Sequence, residues 1–133
     1  MDFRRDDYCF ACGKKNKYGL KLDIQTDQGS SKATIKFPDY TQGYNGIVHG
    51  GILATILDEM AVYAGVSLGE KFVTAELTVR FKKPVKTGVE YIGEGKVIQD
   101  RGRFIRISSI IRDPDGSIFA EGTAKLMRVN DQL

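Results

Sequence analysis

The sequence predicts an α+β fold in which one antiparallel sheet curls around a single buried helix. Two observations support this fold class. Residues 52–68 carry apolar side chains on nearly every helical face, so other structure must wrap this helix. Segments with a period of two lie on both sides of it in the chain, as expected for strands. The length of 133 residues fits one domain, which we assign to 1–133, with 1–17 as an N-terminal extension.

Two strands are predicted before the helix. Apolar residues occupy every second position in 20–24 and again in 33–37. Gly29 and Ser30 lie between these segments and supply a turn. The helix itself covers 17 positions, which span about 25 Å at 1.5 Å per residue. That length is enough to cross a small domain.

Four more strands are predicted after the helix, separated by turn residues at 100–102 and 113–116: 73–81, 91–99, 104–112 and 118–129. The first of them alternates strictly, so that Val73 and Ala75 face one side and Thr74 faces the other. Gly93 and Gly95 within the second strand predict a bend or a bulge.

Composition and charge restrict the function classes. The net charge is +3, from 20 basic and 17 acidic residues, which falls short of the concentrated charge of a nucleic-acid-binding protein. We find no apolar run of membrane length and no secretory signal, so we expect a cytoplasmic protein without a membrane partner. One His and two Cys are too few for a four-ligand zinc site within one chain, and we expect no metal.

Residues 43–51 precede the helix directly and contain several glycines. Gly50 and Gly51 stand where the first helical N–H groups lack a partner inside the helix. Such donors, together with the helix dipole, suit an anion or a developing oxyanion. The alternative is that these two glycines only allow the chain to approach the sheet closely.

Asp58 and Glu59 interrupt the otherwise apolar helix. A carboxylate that faces a wrapped interior is costly unless it is paired or functional. Adjacent helical positions differ by about 100°, so the two carboxylates do not serve one centre equally. We therefore expect Asp58 to be the functional one and Glu59 to lie on a solvated or interface edge.

Helix geometry constrains how Gly50 and Asp58 act together. Eight residues separate them, or about 12 Å along the axis. An Asp side chain does not reach across this gap to a carbonyl held by the Gly50 N–H of its own chain. If both groups act on one substrate atom, they come from two chains with adjacent antiparallel helices.

These residues resemble a known family. Val48, His49, Gly50 and Gly51, with Asp58 nine residues after the His, are similar to the hotdog-fold acyl-CoA thioesterases, in particular the PaaI-like branch named for phenylacetate degradation. The flanking segments 44–47 and 57–60 and the Cys-x-x-Cys opening at 9–13 extend the resemblance, which covers 9–128.

The resemblance implies a role for each matching residue. The Gly50 N–H polarises the thioester carbonyl, with Gly51 beside it, and Asp58 of the partner chain acts as general base or as nucleophile. Thr74 matches a position that helps to place the water, and His49 shapes the loop. One departure is Gly43, where relatives often carry Asn; Asn45 or Gln42 are the nearby substitutes.

The remaining assignments concern substrate binding. Basic side chains suit the CoA phosphates, although a basic cluster is also typical of a solvated face. The residues assigned to substrate or CoA binding are Asn45, Gly46, Val48, Glu59, Lys82, Lys83, Arg101 and Arg103. No cofactor is expected beyond the CoA of the substrate itself. Cys9 and Cys12 are expected to be reduced and structurally inert, and a zinc ion shared between chains is the alternative.

The resemblance therefore implies an acyl-CoA thioesterase that assembles as a homodimer, with the family often forming dimers of dimers. Two alternatives remain open from the residues. One is an acyl-thioester hydratase or dehydratase that uses His49 as the base. The other is a protein that binds acyl-CoA without hydrolysing it.

Overall fold

The computed structural model describes residues 2–129; residue 1 and residues 130–133, the two ends of the predicted domain, lie outside the described residues. A 3₁₀ turn over Asp39–Thr41 precedes the single helix. The elements in chain order are β1 (Gln25–Asp27), β2 (Ser30–Lys36), α1 (Gly50–Val66), β3 (Phe72–Phe81), β4 (Glu90–Asp100), β5 (Phe104–Arg112) and β6 (Ile118–Arg128).

All six strands form one antiparallel sheet in the order β1-β2-β4-β5-β6-β3. The strands β1 and β3 are therefore its two edges. The helix α1 packs on one face of the sheet and touches every strand in it. This is the α+β arrangement that the sequence predicts, with one helix wrapped by a single curved sheet.

The helix α1 packs closely against the sheet because two glycines of β4 leave room for it. Seven residues of α1 are buried, as the apolar pattern predicts: Leu53, Ile56, Leu57, Met60, Ala61, Ala64 and Gly65. Gly93 and Gly95 lie on the face of β4 that meets Met60, and a side chain at Gly95 would collide with the Met60 carbonyl oxygen and the Ser31 hydroxyl. No bulge lies at these glycines, because the pairing register is continuous from Ile92 to Val97 and shifts only between Val97 and Gln99. The two glycines permit close approach of the helix to the strand.

The segment 20–24 is not a strand of the sheet, and that prediction is wrong. Leu22 is buried in the core, with Leu20 and Ile24 packed against it, so the apolar alternation is real. However, the N–H groups of Leu20 and Leu22 donate to the carbonyls of Phe10 and Ala11, both at 2.9 Å. Lys21 has a φ of 50°, which interrupts the extended backbone. The first strand, β1, comes later and is short and exposed.

A β-bulge in β3 overturns the strict alternation predicted for it. The register against β6 shifts between Thr74 and Glu76, so that Ala75 has no partner residue. Thr74 lies opposite buried Leu126 and faces the helix, and beyond the bulge Leu77 takes over the inward position. A bulge re-aims a side chain in this way because it adds one residue to one strand only.

The helix begins at Gly50 and ends at Val66, two residues earlier at each end than the apolar pattern predicts. His49 caps its start, and Gly69, with a φ of 91°, lies just beyond its end. Among residues 2–129, no helix is long and apolar enough to cross a membrane.

The close approach of α1 to β4 predicts that Gly95→Ala lowers the free energy of unfolding by about 3 kcal/mol, since the added methyl group displaces the backbone of the helix. The matched control is Lys96→Ala, at the exposed neighbouring position, which changes stability by less than about 0.5 kcal/mol. Urea unfolding followed by circular dichroism measures both. Equal stability of the two variants would contradict the tight packing.

Candidate active site

The loop before α1 is held in place by its backbone. The His49 N–H donates to the Thr41 carbonyl, and the Val48 N–H donates to the Val85 carbonyl, each at 2.8 Å. Isolated bridges join Gln42 to Val48 and Ile47 to Lys86. The loop is thus fixed to the segment that follows β3, and the start of α1 has a defined position.

His49 is the N-cap of α1. Its Nδ1 accepts a hydrogen bond from the Gly51 N–H at 2.8 Å. This bond occupies the Gly51 donor. Within residues 2–129, the Gly50 N–H has no acceptor. The first turn of α1 therefore offers one free backbone donor, at Gly50.

A cavity of about 650 Å³ opens beside this donor. One wall is the loop with Val48, His49 and Gly50, and the other is the end of β3 with Phe81 and the segment behind it. The lining is mostly apolar, and Lys82 and Lys83 contribute the charged groups at its rim. A cavity with apolar walls, one free N–H and nearby cations suits an acyl group attached to an anionic carrier.

Asp58 and Thr74 form a second half of the site. The Thr74 hydroxyl donates to Asp58 Oδ1 at 2.6 Å, and both residues are half-buried. The bulge in β3 makes this contact possible, because strict alternation would turn Thr74 away from α1. Asp58 does not line the cavity around Gly50 of its own chain. One chain therefore carries both halves but does not bring them together.

Glu59 lies on a different side of α1 from Asp58 and is not on a solvated edge, since its side chain is only 12% exposed. Its Oε1 accepts a hydrogen bond from Arg5 Nη1 at 3.0 Å, and Arg5 stacks over Tyr63 at 4.5 Å. Burial raises the pKa of the nearby Cys12 thiol to about 12, so this thiol is not a nucleophile at neutral pH. The N-terminal extension covers this side of the helix.

The basic residues assigned to CoA fall into two groups. Lys82 and Lys83 line the cavity, and the backbone N–H groups of both residues donate to the Phe119 carbonyl. Arg101 and Arg103 lie in the β4–β5 turn, where the Arg128 N–H donates to the Arg103 carbonyl. Because Arg128 pairs with Phe72, this turn lies at the opposite end of the sheet from Phe81, about 30 Å away along β3.

The other predicted binding residues lie in the loop. Val48 lines the cavity, while Gly46 and Asn45 lie beside it, and the Gly46 N–H donates to Gln42 Oε1 at 3.0 Å. At Gly43 a side chain would press on His49, with a closest distance of 3.2 Å to its Cα. Sequence reasoning missed the contact of Glu59 with Arg5, whose 54-residue separation leaves no local signal.

Comparison with known proteins identifies the family. Residues 45–120, more than half of the chain, match the thioesterase superfamily. The chain belongs to this superfamily, and its helix and six-stranded antiparallel sheet have the hotdog fold. The resemblance inferred from the sequence is thereby confirmed.

Curated relatives are longer proteins. An acyl-coenzyme A thioesterase THEM4 from Xenopus laevis is 35% identical over 91 residues, which are 68% of this chain and 41% of that protein. The corresponding protein of Bos taurus is 28% identical over 92% of this chain and 52% of its own length. The chain spans about half the length of these relatives.

Solved structures have a similar fold. A thioesterase superfamily protein superposes with a TM-score of 0.85 at 25% identity, over 91% of this chain and 60% of that one. The Escherichia coli PaaI protein of the phenylacetic acid degradation operon gives a TM-score of 0.79 at 22% identity, over 84% and 82%. A Streptococcus pneumoniae protein described as a hypothetical thioesterase, solved with coenzyme A, gives 0.77 at 21%, over 83% and 90%. The last two similarities establish the fold alone.

The cap on α1 predicts that His49→Ala lowers the free energy of unfolding by about 1 kcal/mol, because the Gly51 N–H loses its acceptor. His49→Asn keeps an acceptor at the N-cap and retains most of this stability. Urea titration of the three proteins measures the difference. A His49→Asn variant as unstable as His49→Ala would show that the cap is not what His49 contributes.

Proposed function

We propose that this protein hydrolyses acyl-CoA thioesters to a free acid and CoA. The observation that carries the proposal is the Asp58 carboxylate, held by the Thr74 hydroxyl at 2.6 Å on the mostly apolar helix α1. The free Gly50 N–H beside a large apolar cavity supplies the complementary half. The names of the THEM4 relatives and the coenzyme A in the Streptococcus pneumoniae structure support the substrate class.

The Gly50 N–H is the electrophilic group in this proposal. The thioester carbonyl oxygen accepts from it, at the positive end of the α1 dipole. Negative charge develops on that oxygen as the carbonyl carbon becomes tetrahedral, and a fixed backbone donor stabilises it without rearrangement. The Gly51 N–H does not share this role while it is bonded to His49. Gly51 acts instead by keeping the His49 cap in place.

Asp58 acts on the water. Thr74 donates to Oδ1 and fixes the carboxylate, and Oδ2 accepts the proton of the attacking water. The water oxygen bonds to the carbonyl carbon, the C–S bond breaks, and the departing sulfur takes up the proton that Asp58 holds. The products are the free acid and the CoA thiol. No cofactor takes part beyond the CoA of the substrate.

A homodimer unites the two halves. The outer edge of β3 has no partner strand within residues 2–129, and an unpaired edge is a template for another strand. If two β3 strands pair antiparallel about a two-fold axis at Thr78, Glu76 of one chain lies opposite Arg80 of the partner subunit. Because Ala75 is the extra residue of the bulge, Thr74 then lies opposite Phe81 of the partner subunit. Phe81 contacts the cavity at Gly50, so the partner subunit's Asp58 approaches the cavity.

The same pairing explains the distribution of basic residues. Lys82 and Lys83 lie at the cavity of one chain, and the partner's β4–β5 turn, with its two arginines, is carried to the same end of the joint sheet. Cations from both chains then face the CoA phosphates. We propose the homodimer as the active unit, which larger assemblies would repeat.

The assignment of Asp58 predicts that Asp58→Asn lowers kcat for acyl-CoA hydrolysis by about 10²–10⁴-fold, since the amide does not accept the water proton. Thr74→Val gives a smaller loss and Thr74→Ser is close to wild type, because Ser retains the hydroxyl donor. Thiol release from a panel of aromatic and straight-chain acyl-CoAs measures kcat. Calorimetric CoA binding and circular dichroism establish that each variant is folded.

Three outcomes would contradict this mechanism. An unchanged kcat for Asp58→Asn removes Asp58 from the reaction. Loss of activity in the capping-competent His49→Asn variant, with Asp58→Asn active, favours a hydratase or dehydratase that uses His49. Tight acyl-CoA binding without thiol release by the wild type favours a binding protein. A single turnover in heavy-oxygen water distinguishes the two roles of Asp58. If Asp58 is a general base, the new oxygen of the acid product comes only from the solvent. If Asp58 is a nucleophile, an oxygen of its own carboxylate enters the product.

The oxyanion donor predicts different effects for two substitutions at Gly50. Gly50→Pro removes the N–H but suits the first helical position, and His49, with a φ of −59° and a ψ of 134°, is compatible with a following Pro. We expect a loss of about 10²–10³-fold in kcat. Gly50→Ala retains the donor and places its methyl group at 3.4 Å from the Phe81 ring, so it keeps most of the activity.

Mixing chains tests whether the site is shared. A co-refolded mixture of Gly50→Pro and Asp58→Asn chains forms heterodimers in which one of the two sites is intact, so about a quarter of wild-type activity returns. Each variant alone stays inactive. Absence of any recovery, with dimers confirmed by light scattering, would contradict a site built from two chains.

A further inference from the structure

Three side chains that commonly bind metal ions meet outside the proposed active site. They are Cys9 and Cys12 of the N-terminal extension and Glu59 of α1, each half-buried, and their ligand atoms all lie within 4.8 Å of one another. Cys9 Sγ is 4.0 Å from Glu59 Oε1. We propose that these residues bind a divalent transition metal of the zinc class, which fastens the extension to the helix.

The backbone brings the two sulfur atoms together. The Gly13 N–H donates to the Cys9 carbonyl at 2.8 Å, which closes a tight turn around the Cys-x-x-Cys segment. A side chain at Gly13 would collide with the Asp7 carbonyl and with the Cys9 backbone, so the turn accepts only Gly there. The chain thus presents both thiols on one side of a rigid turn. Two thiolates from such a turn are a preferred ligand pair for zinc.

Glu59 supplies a reason why this turn sits on α1. Its side chain is 12% exposed, and burial of a carboxylate is costly unless it is compensated. Arg5 Nη1 lies 3.0 Å from Glu59 Oε1 and 3.4 Å from Cys12 Sγ, so one cation faces both groups. Two thiolates and one carboxylate carry three negative charges, which a divalent ion together with the Arg5 guanidinium neutralises. A bound metal deprotonates its coordinating thiols outright.

The distances need little adjustment. A tetrahedral zinc ion with bonds of about 2.3 Å to sulfur and 2.0 Å to oxygen holds its ligand atoms about 3.3–3.8 Å apart. The three atoms lie within 4.8 Å of one another and need to close by at most about 1.5 Å, which rotation of the side chains provides. Three protein ligands leave the fourth position to a water molecule.

The metal site is distinct from the hydrolytic centre and does not depend on it. Glu59 and Asp58 are adjacent in α1, so their side chains leave the helix about 100° apart. Asp58 turns to Thr74 on β3, and Glu59 turns to the extension. The function of the metal is therefore to anchor the extension across α1, and its readout is binding and stability rather than turnover.

The test uses the full chain, reduced, stripped with a chelator and titrated with Co²⁺ and then with Zn²⁺. We expect one ion per chain, a thiolate-to-cobalt charge-transfer band, the intense visible bands of tetrahedral cobalt, and a Tm that rises with free Zn²⁺. Cys9→Ser or Cys12→Ser reduces the charge-transfer band and weakens zinc binding by more than about 100-fold. Loss of a residue that only supports a ligand weakens binding by about 10–100-fold, so the larger effect identifies a ligand.

Glu59→Gln and Asp58→Asn form the matched pair of helix variants. Glu59→Gln weakens zinc binding, and Asp58→Asn leaves it as in the wild type. Two results would overturn the proposal: a wild-type protein that gives no charge-transfer band at stoichiometric Co²⁺, or equal zinc affinity in these two variants. The wild-type titration needs no substitution, so it decides the matter even where a variant does not fold.

Discussion

The close approach of α1 to the sheet is the constraint on which the rest of the structure depends. Gly95 allows the Met60 backbone to lie against β4, and the Ser31 hydroxyl donates to the Met60 carbonyl at 2.6 Å. With the helix seated at this depth, its two ends and its polar residues have fixed positions relative to the strands. The free donor at Gly50 then faces the cavity beside β3, and Asp58 reaches Thr74. Packing of apolar residues therefore sets the geometry of the polar ones.

Periodicity predicts most of this fold because each strand and the helix have one consistent environment. Strand β5 coincides with the predicted 104–112, and the remaining long strands agree within a residue or two. The errors arise where backbone and side chains follow different rules. In 20–24 the side chains pack on the core although the backbone bonds to the extension, and at Ala75 an added residue reverses the alternation. Neither a positive φ at Lys21 nor a bulge has a signal in apolar periodicity.

The candidate site is predictable to the extent that it is local in sequence. Gly50 and Asp58 lie on one helix, so their spacing in the sequence alone places them about 12 Å apart along its axis. Contacts between distant segments are different. Arg5 and Glu59 are 54 residues apart, and the pairing of a Cys-x-x-Cys turn with a helical carboxylate follows only from the folded chain.

The bulge at Ala75 also fixes the number of residues in β3. Deletion of one residue from this part of β3 would turn either Thr74 or the residues from Leu77 onward to the wrong face of the sheet. Most substitutions leave both parts of the strand facing as they do. Change in this strand is therefore tolerated in the identity of its residues and not in their number. Homologous chains that keep this bulge should keep the spacing between Thr74 and Leu77 and carry their insertions elsewhere.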